Sequence, residues 1–123
     1  MRLREGDDDL SPRTKQFALR VVKCYAALPK STEAQILGKQ LLRAGTSVGA
    51  QIAEAGFAKS SADFVSKIDG ALQEMRETRY WLELIADSGL IKRTRLQPLL
   101  DESSELTAMM AVMAGKSRKR AKT

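Results

Sequence analysis

Residues 40–57 read QLLRAGTSVGAQIAEAGF, a long helical pattern that leaves almost no face for water. Between Lys39 and Glu54 the only charged residue is Arg43. At about 3.6 residues per turn the pattern sorts into three stripes. The first is an apolar line with spacings of three and four residues, which predicts the core face of a bundle helix: Leu37, Leu41, Ala44, Val48, Ile52 and Ala55.

The second stripe consists of small residues: Gly38, Gly45, Gly49, Ala53 and Gly56. A glycine inside a helix costs up to about 1 kcal/mol relative to alanine. Their recurrence on one side therefore predicts that another backbone packs closely there.

The third stripe is polar but mostly uncharged, and it predicts a semi-buried polar seam: Gln40, Arg43, Ser47, Gln51 and Glu54. On the next predicted helix, Glu74 shares a stripe with Asp63, Lys67 and Trp81, which makes it a partner for Arg43. The favoured hypothesis is a polar clamp that sets register within or between subunits, and the alternative is an ordinary surface face. In a small helical protein, three contact faces on one helix indicate a bundle that also packs against a neighbouring subunit, although a monomeric helix with a solvated polar face remains the alternative.

Length and composition indicate one globular domain of 123 residues, with 43% hydrophobic and 29% charged residues. No apolar run approaches the roughly 20 residues needed to span a bilayer, and the beginning of the chain, MRLREGDDDL, lacks the apolar region of a secretory signal. We therefore expect a cytoplasmic protein without a membrane partner.

Four helical patterns follow one another along the chain, and no run of alternating β-branched residues indicates a strand. The first predicted helix runs from Ser11 to about Leu28, and the second begins at Ser31 or Thr32 and ends at about Ala55. The third begins at Ser60 or Ser61 and ends at Ser88-Gly89, and the fourth runs from the 92–95 connector to Gly115. Short connections favour an all-α, antiparallel, up-down-up-down four-helix bundle. The predicted organisation is an acidic flexible leader (1–10), the bundle (11–115) and a basic disordered tail (116–123).

The sequence contains few residues of the types that usually carry enzymatic catalysis. The chain has no histidine and one cysteine, Cys24, which lies on an apolar stripe and is expected to be a core thiol. Without histidine, and with one cysteine, the chain lacks the residues that catalytic triads, zinc sites and imidazole acid-base catalysis normally use. The Glu-x-x-His motif of di-iron bundles is also impossible without histidine. We therefore predict no catalytic residue, no cofactor and no metal.

Basic residues concentrate in two places, the connector before the fourth helix and the end of the chain, while the net charge is +6. Clusters of this kind bind phosphate backbones through counterion release, without sequence preference, although a solubilising role is the alternative for the tail. The candidate nucleic-acid-binding residues are Lys92, Arg93, Arg95, Lys116, Arg118, Lys119, Arg120 and Lys122.

Three segments in order, QLLRAGTSVGAQIAEAG, SSADF and GALQEMRETRYWLELIADSGLI, resemble the bacterial four-helix-bundle proteins encoded in intervening sequences of large-subunit (23S) ribosomal RNA genes. The residues that match the recurrent pattern of that family are Gln40, Arg43, Ala44, Ser47, Val48, Ile52, Ala53, Glu54 and Glu74. The sequence departs from the pattern at Gln51, where the family usually has Asn, and at Ala55, where it usually has Gly. The likeness covers about residues 14–113.

The resemblance implies a four-helix bundle assembled into a homopentameric ring without known catalysis. A distantly similar accessory protein of diversity-generating retroelements forms such a basic ring and binds nucleic acid and a reverse transcriptase. The leading hypothesis is thus a non-enzymatic homo-oligomer that binds RNA or DNA backbones. The alternative is a scaffold whose oligomer face docks an unidentified protein, and salt separates the two because phosphate binding weakens steeply with ionic strength.

Overall fold

The computed structural model describes residues 10–122, without the side chains of residues 121 and 122. Four α-helices make up this part of the chain: α1 (Leu10–Ala26), α2 (Thr32–Ala55), α3 (Ser61–Asp87) and α4 (Arg93–Lys122). Consecutive helices pack against each other, and a smaller contact between α1 and α4 closes the bundle. The predicted up-down four-helix bundle is confirmed, whereas the number of subunits stays a prediction.

Two serine caps fix where α2 and α3 begin. The hydroxyl of Ser31 accepts a hydrogen bond from the backbone N–H of Ala34 at 3.4 Å, and that of Ser60 accepts one from Asp63 at 3.0 Å. Each cap satisfies a donor that the first helical turn leaves unpaired. Gly89, at a φ of 77°, turns the chain after α3 in a conformation that favours glycine. By contrast, α1 begins at the buried Leu10 instead of Ser11, and it ends at Ala26 instead of Leu28.

The core lies between the predicted apolar seams. Helical spacing in the sequence assigns to the seam of α3 the residues Phe64, Ile68, Ala71, Met75, Leu82 and Ile85, and to the seam of α4 the residues Leu96, Leu99, Leu100, Ser103, Leu106, Met110 and Met113. All of them are buried. In α2 five of the six are buried, and Leu37 is half-buried against the core. In α1, Phe17, Val21 and Leu28 are buried, while Cys24 and Tyr25 pack at the edge. None of the described helices combines the length and apolarity that a bilayer crossing requires.

The glycine stripe of α2 packs against α1, as predicted. A Cβ on Gly45 would lie 2.8 Å from both methyl carbons of Val21. A Cβ on Gly49 would lie 3.3 Å from the backbone oxygen of Thr14, so here backbone faces backbone. The close approach ends before Ala53 and Gly56, which are exposed.

The prediction of a disordered tail after Gly115 is wrong for residues 116–122. The helix α4 continues through Gly115 to Lys122. A Cβ on Gly115 would meet nothing within 4 Å, so the glycine has an ordinary place on an open helix face. Beyond it, Ser117 is 1% exposed, and Arg118 pairs with Asp69 of α3 at 2.5 Å. These contacts, together with cations near a helix C-terminus, offset the cost of the glycine. The predicted acidic leader falls at residues 1–9, outside the described part of the chain.

Candidate nucleic-acid interface and polar seam

The polar stripe of α2 faces α3 within the same chain. Arg43 Nη1 lies 3.4 Å from Glu74 Oε2, and Arg43 Nη2 donates a hydrogen bond to Glu77 Oε1. The predicted pairing of Arg43 with Glu74 is therefore confirmed, and Glu77 is a second partner. Ser47 donates to the carbonyl oxygen of Arg43 at 2.7 Å, which fixes it to its own helix.

Further along the seam, the side chain of Gln51 covers Gly70 of α3, where a Cβ would lie 3.1 Å from the amide carbon. Glu54 pairs with Lys67 at 3.1 Å, and Gln40 at the other end is exposed. The three stripes of α2 thus contact the core, α1 and α3 of one chain. The number of contact faces on α2 therefore gives no separate argument for a neighbouring subunit.

The seam has an acid-sensitive member, Glu77. A hydrogen bond from Arg43 and a second from Trp81 Nε1 at 3.3 Å lower the pKa of this carboxyl. A depressed folded-state pKa contributes stability that is present above the unfolded value of about 4.3 and is lost as pH falls through the folded value.

Glu77→Gln should therefore flatten the loss of stability as the pH falls below about 5, as measured by urea denaturation at each pH. The same substitution in an Arg43→Gln background should change the acid slope much less, because the main cause of the shift is gone. Equal changes in both backgrounds would contradict the assignment to Arg43.

The predicted basic residues separate into two groups at opposite ends of α4. Arg95 and Lys116 are about 32 Å apart along the axis, at about 1.5 Å per residue. Arg93 is held by Glu83 at 2.8 Å and Asp87 at 2.7 Å, and Arg118 is held by Asp69. Both paired arginines stabilise the junction of α3 and α4, which leaves Lys92, Arg95, Lys116 and Lys119 as exposed cations without an ion pair to any described residue. Arg120 is half-buried, and the side chain of Lys122 lies outside the described part.

Two further basic residues, Arg20 and Lys23, face Arg95 across the junction of α1 and α4, and the sequence analysis did not select them. Their spacing of three puts both on one side of α1. That spacing was the available signal, but only the packing of α1 on α4 identifies what they face.

Among residues 10–120, no three or more His, Cys, Asp or Glu side chains come together in a group that could hold a metal ion. Cys24 is half-buried, and burial raises the pKa of its thiol. Trp81 packs against the core and meets Tyr80 edge to face at 5.1 Å between ring centres, in keeping with a packing role.

The comparisons with known proteins match the four-helix architecture over most of the chain. The sequence profile of the 23S rRNA-intervening sequence proteins matches residues 8–112. The chain belongs to this family. A crystal structure of a protein of unknown function from the S23 ribosomal protein family of Bacteroides thetaiotaomicron is similar, with 36% sequence identity and a TM-score of 0.84. The likeness covers 89% of this chain and 97% of that one. No curated protein matches the chain.

Proposed function

We propose that this family member is a non-enzymatic, homo-oligomeric bundle that binds the backbone of RNA or DNA through the basic groups at the two ends of α4. One observation carries the proposal, namely the unequal pairing of surface charge. Among the described residues, five cations hold eight carboxylates in ion pairs. These five cations offset part of the charge of the eight acids, and the cations outside the pairs outnumber the remaining acids, so the outer field of a chain with net charge +6 is positive.

The spacing along α4 supports the same conclusion. Arg95 and Lys116 are separated by nearly six turns of about 3.6 residues each, so they lie on similar sides of one rigid helix. Their axial separation of about 32 Å is close to one turn of duplex DNA, about 34–36 Å. Phosphates on the same side of a duplex therefore recur at a distance that both groups reach.

The test is fluorescence anisotropy with a structured RNA and a duplex DNA over a range of salt concentrations. We expect affinity to fall steeply with salt, and Lys116→Gln/Lys119→Gln to reduce the slope of log K against log salt by about 2 for duplex DNA. Substitution is preferred to truncation after Gly115, because truncation would also remove the buried Ser117 and the ion pair of Arg118.

A matched control removes the same charge elsewhere. Lys30→Gln/Lys39→Gln takes away two exposed cations at the beginning of α2, neither of which pairs with a described carboxylate. If both double variants lose the same nucleic-acid affinity, the loss comes from the lower net charge, and this result would count against an interface on α4. Absence of binding at low salt would overturn the proposal.

The oligomer in this proposal is the homopentameric ring that the family resemblance implies. An outward stripe of α1 supports assembly, since Leu19 is 47% and Val22 45% exposed on the side opposite the core. Beside it runs a mostly apolar groove between α1 and α2 with a volume of about 480 Å³. Its lining is small, with Ala18 from α1 and Gly49, Ala50 and Ala53 from α2. The large aliphatic side chains of a second copy would fill a groove that this chain leaves open.

The same groove favours a second candidate function, a scaffold that docks a different protein. Its lining contains Lys15 as the only charged residue, so binding there would change little with salt. A partner held at high salt, together with no nucleic-acid binding at low salt, would favour the scaffold.

A further inference from the structure

A cleft between α1 and α4 brings three cations together at the end of the bundle where α4 begins. Arg20 and Lys23 come from α1, and Arg95 comes from the first turns of α4. Cys24, Ala27, Ile91, Leu96 and Leu99 complete the lining, so the cleft has an apolar floor and basic walls. Because positions 20, 23 and 24 of α1 follow helical spacing, they lie on one side of α1 that faces α4, and Ala27 follows directly after the helix ends.

The three cations have no counter-charge of their own in the described structure. No carboxylate lines the cleft, and none of the three forms an ion pair with a described residue. Arg13, further along the same two helices, shows the contrast, since Glu102 and Glu105 hold it at 2.6 Å and 3.0 Å. The charge of Arg95 also reaches into the cleft, where it opposes the effect of burial on the pKa of Cys24.

We propose that this cleft is a phosphate-binding site in which Arg20, Lys23 and Arg95 hold a single phosphate group. Guanidinium groups match phosphate oxygens with two parallel hydrogen bonds, and a multiply charged anion offsets the repulsion among three cations. The cleft volume is about 200 Å³. Pockets for whole small-molecule ligands are about 300–1,000 Å³, so this cleft takes a phosphate group and leaves the attached base or sugar outside.

The phosphate has two possible sources. In one, it belongs to an RNA or DNA backbone, and that version rests on the proposed function. In the other, it belongs to a free phosphate compound. The recognising groups are the same in both, so the experiment must separate the sources.

Pyrophosphate serves as the small probe and a structured RNA as the large one. Calorimetry at low salt should show pyrophosphate binding that Arg95→Gln weakens on the order of tenfold, as expected for the loss of a charge-assisted hydrogen bond. Arg76→Gln is the matched control, because Arg76 is an exposed arginine of α3 without an ion pair to any described carboxylate. Acetate at equal ionic strength controls for a general anion effect.

Cys24 reports where the probe binds, since it is the only cysteine and lines the cleft. Pyrophosphate should slow the alkylation of Cys24 by the neutral reagent iodoacetamide. In Arg95→Gln, the same pyrophosphate concentration should leave the alkylation rate nearly unchanged. Comparing the rate with and without pyrophosphate within each variant removes the effect that Arg95 itself has on the thiol. If Cys24 does not react, the calorimetric comparison decides alone.

The outcomes separate this site from the proposed function. Protection of Cys24 by both pyrophosphate and RNA supports the site and assigns its phosphate to a backbone. Protection by pyrophosphate alone supports the site with a free phosphate compound. Pyrophosphate binding that is absent, equal to that of acetate, or equally weakened in Arg95→Gln and Arg76→Gln overturns the site, while RNA anisotropy still tests the proposed function independently.

Discussion

Ala50→Glu is expected to prevent the proposed assembly of this chain without unfolding it. Ala50 is exposed on α2 and lines the groove between α1 and α2, so one chain accommodates the larger side chain on its surface. Glutamate also suits a helix interior. In an assembly, the same carboxylate would lose its hydration in an apolar groove that holds no described cation other than Lys15.

The effect is to be read from sedimentation equilibrium at micromolar concentration, with circular dichroism to confirm that helix content is unchanged. Gln40→Glu is the control, because it adds the same charge at an exposed α2 position outside the groove. Retention of the full assembly mass by Ala50→Glu would exclude this groove as the interface.

Gly45→Ala is expected to have the largest effect on stability among the glycine positions described above. Its new methyl would lie 2.8 Å from both Cγ atoms of Val21, a fully buried residue of α1. A β-branched side chain has few alternative rotamers, so α1 itself must move. Overpacking of this kind costs about 1–3 kcal/mol, against a gain in helix propensity of up to about 1 kcal/mol.

Gly115→Ala is the matched substitution with the opposite expected sign. Its methyl would meet nothing within 4 Å, and the helix continues on both sides, so stability should rise by up to about 1 kcal/mol. Chemical denaturation of both variants measures the pair. A loss of stability in Gly115→Ala would indicate that the helix ends there after all, and an unchanged Gly45→Ala would contradict the close packing of α1 on α2.

Much of this fold follows from local sequence. The serines at 31 and 60 mark helix starts because their hydroxyls satisfy backbone donors three residues away, and the apolar seams follow from helical periodicity. The glycine stripe predicted a close neighbour because glycines destabilise an isolated helix. This argument does not depend on which helix the neighbour is.

The misplaced end of α4 has a different origin. Gly115 resembles a stop signal, but whether a helix continues past a glycine depends on what its next turns contact. Here one such contact joins Arg118 to Asp69, 49 residues earlier in the chain. The basic cleft was missed for the same reason, since Arg20 and Arg95 become neighbours only when α1 packs against α4.

The order in which the helices contact each other also has a consequence for folding kinetics. Each of α2, α3 and α4 packs on the helix before it, so three of the four interfaces form between neighbours in sequence. Topologies dominated by such local contacts fold rapidly. The exception is the closure of α1 on α4, where Arg13 and Glu102 are 89 residues apart and the contact is the smallest in the bundle. Closing so long a loop costs the most chain entropy and gains the least contact, so we expect this junction to form last and to open first.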